Sequence, residues 1–268
     1  MNAARRWLSP PRASVEVSEE DGVRSLHLGG DAIQSSIRLD RPDELALDYT
    51  RAMMAFLLFQ PEPRDVLMIG LGGGSMARYI HQRMPGTRTT VVEINPKVLA
   101  AARSLFYFPQ DDERLKVEIA DGAAYLPLCA ESADVLLVDG FDDGRQPAAL
   151  CTQAFYDAAY AALREDGVMA VNFMAGDRKL EPLLQRIESS FDARVICLHA
   201  ADRVNLIAFA FKSRANEFAW TELRQRARGL KKNHALPLED EAGADEMEQP
   251  LLRTGGGTTT AAGGKTSA

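Results

Sequence analysis

Four stretches of the chain combine residue types and spacing that can do chemistry. Val66-Leu-Met-Ile-Gly70-Leu-Gly72-Gly73-Gly74-Ser75 is an apolar run, a glycine turn and the start of a helical pattern. Glycines in that place let a ligand approach the backbone beside a helix N-terminus. About twenty residues on, Val91-Val92-Glu93 ends a second apolar run on an acid, where a carboxylate accepts hydrogen bonds from the ribose hydroxyls of a bound nucleoside. Asp121-Gly122 follows a third run, and Asp139 ends a fourth in Val135-Leu-Leu-Val-Asp139-Gly140-Phe-Asp142-Asp143. Ligands of open α/β sheets lie outside the carboxyl ends of the strands, so Glu93, Asp121 and Asp139 converge on one crevice. One Asp-Gly is a common turn. Three acidic strand ends around a glycine loop are more than turns explain.

The elements that must position these residues alternate. Strands are predicted at 66–69, 89–92, 116–119, 135–138 and 168–173, with helices near 75–83, 96–105, 123–126, 152–163 and 180–191. The strands are almost continuously apolar, as a parallel sheet covered on both faces requires. Two further strands, 195–198 and 205–211, are close enough in sequence to pair as an antiparallel hairpin. Upstream, alternating apolar residues flank Asp21-Gly22, and a third short strand is expected over 32–37, which makes a small β-element too small to stand alone. Asp43 reads as the N-cap of a helix over 45–59, ended by Pro61 and Pro63. A basic amphipathic helix is expected over 217–230. The expected organisation is therefore a β-element over 1–41, a Rossmann-like nucleoside-binding catalytic domain over 42–232 with a mostly parallel seven-stranded sheet, and a disordered tail over 233–268, acidic and then Gly/Thr-rich.

Composition narrows the partners. The 268 residues are 46% hydrophobic and 26% charged, which is enough apolar material for a full core. The net charge of −7 disfavours nucleic acid and anionic membranes, although the tail's six acids against two bases carry much of it. Cys129, Cys151 and Cys197 are odd in number and widely spaced, and the four histidines are scattered, so neither a disulfide framework nor a metal set is expected. The longest apolar run, 52–59, is far short of the ~20 residues of a membrane span. A cytoplasmic setting is expected.

The glycine pattern distinguishes nucleosides. Dinucleotide enzymes use GxGxxG, and Ser75 holds the last place; Gly70, Gly72 and Gly74 satisfy the GxGxG of Rossmann-like methyltransferases, which also tend to carry an acid where this chain has Met68. The hairpin at the end of the sheet also suits the S-adenosylmethionine class. At this point the chain resembles the spermidine synthase family, the aminopropyltransferases. That family's VLxIGGGDGG is similar to residues 66–75, and its VxxVEID to Thr90-Val-Val-Glu93-Ile-Asn95. Its GDGxxF/YL is similar to Ala120-Asp121-Gly122-Ala-Ala-Tyr125-Leu126, and its DxxDP to Asp139-Gly-Phe-Asp142-Asp143. Its LDGxxQ hairpin is similar to Leu28-Gly-Gly-Asp-Ala-Ile-Gln34, with one residue extra, and the likeness runs over residues 15–212.

The resemblance implies decarboxylated S-adenosylmethionine as donor, a diamine such as putrescine as acceptor, methylthioadenosine as product and no metal. It implies Asp139 as base and Asp142 as a second hold on the amine. Gln34, Gly70, Gly72, Gly73, Gly74, Glu93, Asp121 and Gly122 would bind the donor, Glu93 at the ribose and Asp121 at the adenine amino group. A homodimer stays open as the assembly. The chain departs from the family at four places, one of them Asp143, which stands where the DxxDP motif has proline. Gly73 stands where the family has the loop aspartate. The family's assisting tyrosine counts to Asp48, so Tyr49 substitutes only with a shift of helix register. Ala200-Ala-Asp-Arg-Val has none of the aromatic residues often found there. Two other classes stay in view: a methyltransferase using intact S-adenosylmethionine, and a non-catalytic nucleoside-binding module.

Overall fold

A computed structural model describes residues 14–29, 33–141, 145–213, 220–234 and 236. Strands β1 (Val15–Glu20), β2 (Val23–Leu28) and β3 (Ile33–Arg38) form an antiparallel sheet in that order. Its first turn is made by Asp21 and Gly22, both with positive φ, the geometry that matches the twist of a tight hairpin. The second sheet contains β4 (Asp65–Ile69), β5 (Arg88–Glu93), β6 (Leu115–Ile119), β7 (Ala133–Val138), β8 (Leu163–Met174), β9 (Val195–His199) and β10 (Asn205–Phe211). The order is β6-β5-β4-β7-β8-β10-β9, with β10 antiparallel to both of its neighbours and the other pairs parallel. The expected Rossmann-like sheet and its closing hairpin are both present.

The helices are α1 (Asp48–Met53), α2 (Ser75–Arg83), α3 (Pro96–Leu105), α4 (Gly122–Tyr125), α5 (Gln153–Ala162), α6 (Leu180–Ser190) and α7 (Trp220–His234). Alternate residues of each strand serve opposite faces. Val66 and Met68 pack with Met76 and Ile80 of α2, Val98 of α3 and Leu223 of α7. Leu67 and Ile69 belong to the other core, with Phe155 of α5 and Ile187 of α6. Burial on both faces leaves ligands the edge formed by the strand ends. Among the described residues no helix is long and apolar enough to cross a membrane.

The clearest departure from expectation is the helix after the β-element. Residues 42–47 are not helical, and Asp43 caps nothing; α1 starts at Asp48 and continues as a 3₁₀ turn over Met54–Leu58. Arginines from elsewhere take the carbonyls that a helix there would use: Arg51 donates to Leu45 and Ala46, and buried Arg78 of α2 donates to Pro42. Smaller differences are Thr152, which caps α5 rather than belonging to it, and β8, which starts five residues early. The expected helix over 217–230 runs to His234, and 217–219 lie outside the described residues. So does the tail expected over 233–268, apart from the backbone of residues 233 and 234 and from Leu236, which is buried in the first core.

Candidate active site

The parallel strands β4, β5, β6, β7 and β8 end on one edge, and a cavity of about 660 Å³ lies against it. The strand order reverses between β4 and β7, the switch point at which such sheets bind ligands. Gln34, Gly70, Gly72, Glu93, Asp121, Gly122 and Asp139 all line this cavity, so most of the residues expected from sequence are brought together. Gly73 and Gly74 belong to the turn but not to the lining. Asp142 lies outside the described residues, and so does Asp143.

Two glycines of the loop are explained by close approach. Gly70 has φ 98°, and a Cβ there would lie 2.3 Å from the backbone oxygen of Asp139. Only a glycine lets β4 and β7 come that close, and the same contact fixes the height of Asp139, whose N–H donates to Ile69 at 2.9 Å. At Gly73 a Cβ would meet Ser35 Oγ at 2.7 Å and Phe106 at 3.0 Å. The space of the family's loop aspartate is therefore filled by the β-element and by the end of α3.

Glu93 is held on both oxygens. Oε2 accepts the Leu71 N–H at 3.0 Å and Oε1 the Asn95 N–H at 2.7 Å, at 7% exposure. These bonds orient the carboxylate at the cavity wall. Asp121 caps α4 by accepting the Ala123 N–H at 2.9 Å.

Asp139 is the centre of a polar chain. Asn172 of β8 donates to its Oδ1 at 3.0 Å, and Asn205 of β10 donates to Asn172 at 2.9 Å. Gln146 donates to the Asn172 carbonyl at 2.8 Å. Tyr49 of α1 donates to the Gln34 carbonyl at 3.0 Å and is within hydrogen-bonding reach of Asp139. α1 starts at Asp48, so Tyr49 lies in its first turn. Burial pushes the Asp139 carboxyl up to about 6, against the opposing hydrogen bonds of Asn172 and Tyr49. Burial, then the charge and the hydrogen bond of Asp139, hold the Tyr49 hydroxyl well above its ordinary value. Asn172 and Asn205 were missed from sequence. The available signal was an asparagine inside each of two apolar strand runs, which burial tolerates only with a polar partner.

All the charged groups among the described lining residues are acidic: Glu93, Asp121, Asp139 and Asp202. Such a wall suits a cationic ligand, and Asp139 is poised to take a proton near neutral pH.

The comparisons with known proteins agree with this geometry. The spermine/spermidine synthase domain matches residues 47–181. The polyamine aminopropyltransferase of Chromobacterium violaceum is 42% identical over 239 residues, which span 88% of this chain and 92% of that protein. Human methyltransferase-like protein 13 in complex with SAH superposes with a TM-score of 0.65 at 28% identity, covering 71% of this chain and 93% of the solved one. Spermidine synthase in complex with the transition state analogue AdoDATO shares the fold, with a TM-score of 0.62 at 23% identity and 85% of each chain covered.

Proposed function

The chain belongs to the spermine/spermidine synthase family, and from that footing we propose that it is an aminopropyltransferase acting on decarboxylated S-adenosylmethionine and a diamine such as putrescine. The observation that carries this reading is the acidic cavity with Asp139 at its strand edge and no Lys, Arg or His among the described lining residues. Both substrates are cations, and the donor lacks the carboxylate that such a wall would repel.

The chemistry follows from the residues. The glycine loop and Glu93 hold the adenosine, and Asp121 stands at the end of β6 for the base. The acceptor arrives as a diammonium ion, and its attacking nitrogen must lose a proton first. Asp139 takes it, held in place by Asn172. The free amine attacks the carbon beside the sulfonium. The new C–N bond forms as the C–S bond breaks, and the bonding pair stays on sulfur. The products are methylthioadenosine and the longer polyamine. Asp142, four residues from the end of β7, is proposed as a second hold on the amine. A small cationic substrate and idle thiols fit a cytoplasmic setting.

A second reading, methyl transfer from intact S-adenosylmethionine, is favoured by the likeness to the SAH-bound human methyltransferase. It brings a substrate carboxylate into a cavity whose charged side chains, among the described residues, are all acidic. The test measures methylthioadenosine release from the decarboxylated donor with a panel of diamines, beside S-adenosylhomocysteine release from the intact donor. Release of methylthioadenosine with a diamine is expected. None with any diamine would sink the aminopropyl reading.

A further inference from the structure

The cavity holds a carboxylate that this mechanism does not use. Asp202 stands in the connection between β9 and β10 and lines the same cavity as Asp139. Its Oδ1 accepts the Val204 N–H at 2.9 Å, a turn that fixes the side chain. The carboxylate keeps further acceptor positions. Arg203, the cation of this connection, takes a left-handed φ of 57° and acts electrostatically on His199. It is absent from the described lining, whereas Asp202 and Val204 on either side of it are present.

The wall between the two carboxylates has a definite character. Asp139 neighbours Asn172, and Asn172 neighbours Asn205 across the β8–β10 pairing. Two strand spacings separate the end of β7 from the start of β10, which follows Asp202 at the same edge, about 10 Å. Met174 and Val204 line the cavity on this side and remain 36% and 49% exposed. An anion, two amides beside the exposed side chains of Met174 and Val204, and a second anion can take a chain with an ammonium at each end and methylenes between.

We infer that Asp202 holds the far ammonium of the acceptor while Asp139 deprotonates the near one. Asp202 is then the residue that selects diamines over monoamines and sets their length. The inference rests on the aminopropyl-transfer reading and goes beyond it in naming the specificity residue.

The test compares wild type with Asp202→Asn, using propane-, butane- and pentane-diamine and n-butylamine as substrates or competitive inhibitors. Asparagine keeps an oxygen for the Val204 N–H, so the turn survives, and methylthioadenosine affinity reports an intact pocket. KM for the preferred diamine is expected to rise at least about tenfold, as for loss of a charge-assisted hydrogen bond. Butylamine affinity should stay put, so the preference falls by the same factor. Asp202→Glu, with its charge on a longer stem, is expected to move the preference to a shorter diamine. Equal changes for diamine and monoamine, or none, overturn the role of Asp202 and leave the transfer chemistry standing. A wild type that releases no methylthioadenosine with any amine removes the reaction itself, a different failure.

Discussion

The two ends of strand β7 carry the same side chain in opposite circumstances. Asp134 lies near its start and Asp139 just past its end. Asp134 accepts Arg164 at 2.8 Å and the backbone N–H groups of Arg64 and Asp65 at 2.7 and 2.9 Å. Burial works to raise its carboxyl, but these donors bring it below the usual range, and neighbouring Asp65 is held low in the same way by Arg88 and Arg164. Asp139 has amide and hydroxyl neighbours and no ion pair among the described residues, and burial wins. One sheet edge is closed by charge pairs and holds strands together. The other keeps a carboxylate that is bonded by amide and hydroxyl groups among the described residues and faces the cavity. Parallel strands produce this division, because every strand start lies at one edge and every strand end at the other.

The largest effect that tests the contrast is expected from Asp139→Asn. The variant keeps size and an oxygen for Asn172 while removing charge and proton acceptor. Diamine turnover should fall about 10²–10⁴-fold, the usual worth of a general base. Methylthioadenosine affinity should change little. The stability change has the opposite sign. A carboxyl whose folded pKa lies above its unfolded value binds more protons when folded, so wild type loses stability as pH rises from about 4 to about 6. The variant lacks that loss and should melt higher than wild type at pH 7, with the gap closing by pH 4. Asp65 and Asp134 behave the other way: their contribution is present at neutral pH and is lost as pH falls below the ordinary aspartate range. Thermal melts across pH for both proteins read this directly. A wild type no less stable at pH 7 than the variant would deny that Asp139 is strained by burial.

How much of this contrast is legible in the sequence depends on which neighbours are local. The acidic strand ends are legible because an apolar run closing on Glu93, Asp121 or Asp139 is a local pattern. The parallel sheet follows from the same runs. The contacts of Tyr49 with Gln34 and Asp139 are not legible, because they depend on how α1 sits against β3 and the end of β7. The start of α1 is set by Arg51 and Arg78 capturing carbonyls of residues 42–46, contacts that span up to 36 residues. Asn172 and Asn205 are legible only as polar residues out of place in apolar runs; their pairing depends on the β8–β10 register. The crowding at Gly73 is hidden from sequence altogether, since Ser35 and Phe106 reach it from two other elements.

A middle-sized effect should come from the closed edge. Arg164→Met removes a guanidinium that bonds Asp134 and Asp65 at 2.8 Å each. Both carboxylates are mostly shielded, at 10% and 19% side-chain exposure. Hydrogen bonds to charged groups are worth ~1.5–3 kcal/mol, and the 30% exposure of the arginine discounts that, so a loss of about 1–3 kcal/mol is expected. For a chain of this size that lowers the melting temperature by several degrees, about 2–4 °C per kcal/mol. Turnover per folded molecule should not move, because none of Asp65, Asp134 and Arg164 is among the described residues that line the cavity. A fall in turnover at full folding would show that the two edges are coupled through β7.

The smallest effect separates the two arginines that share Asp65. Arg88 of β5 bonds it through Nε at 2.8 Å and a second nitrogen at 3.1 Å, a geometry as good as that of Arg164. On distance alone the two should matter equally. Exposure decides otherwise: the Arg88 side chain is 66% exposed and bonds only Asp65 in this cluster, whereas Arg164 bridges two strands beneath it. Water screens the Arg88 pair and solvates Asp65 when that arginine is gone, and exposed pairs of this kind contribute little. Arg88→Ala should therefore leave the melting temperature unchanged within about one degree, and raised salt should erase even that. Loss of Arg164 strands Asp134 at 10% exposure, where water cannot take the place of the guanidinium. A melt of the two single variants and their double, at low and high salt, tests this. Equal losses from the two singles would mean that Asp65 rather than Asp134 carries the closed edge, and that the contrast along β7 belongs to β4 instead.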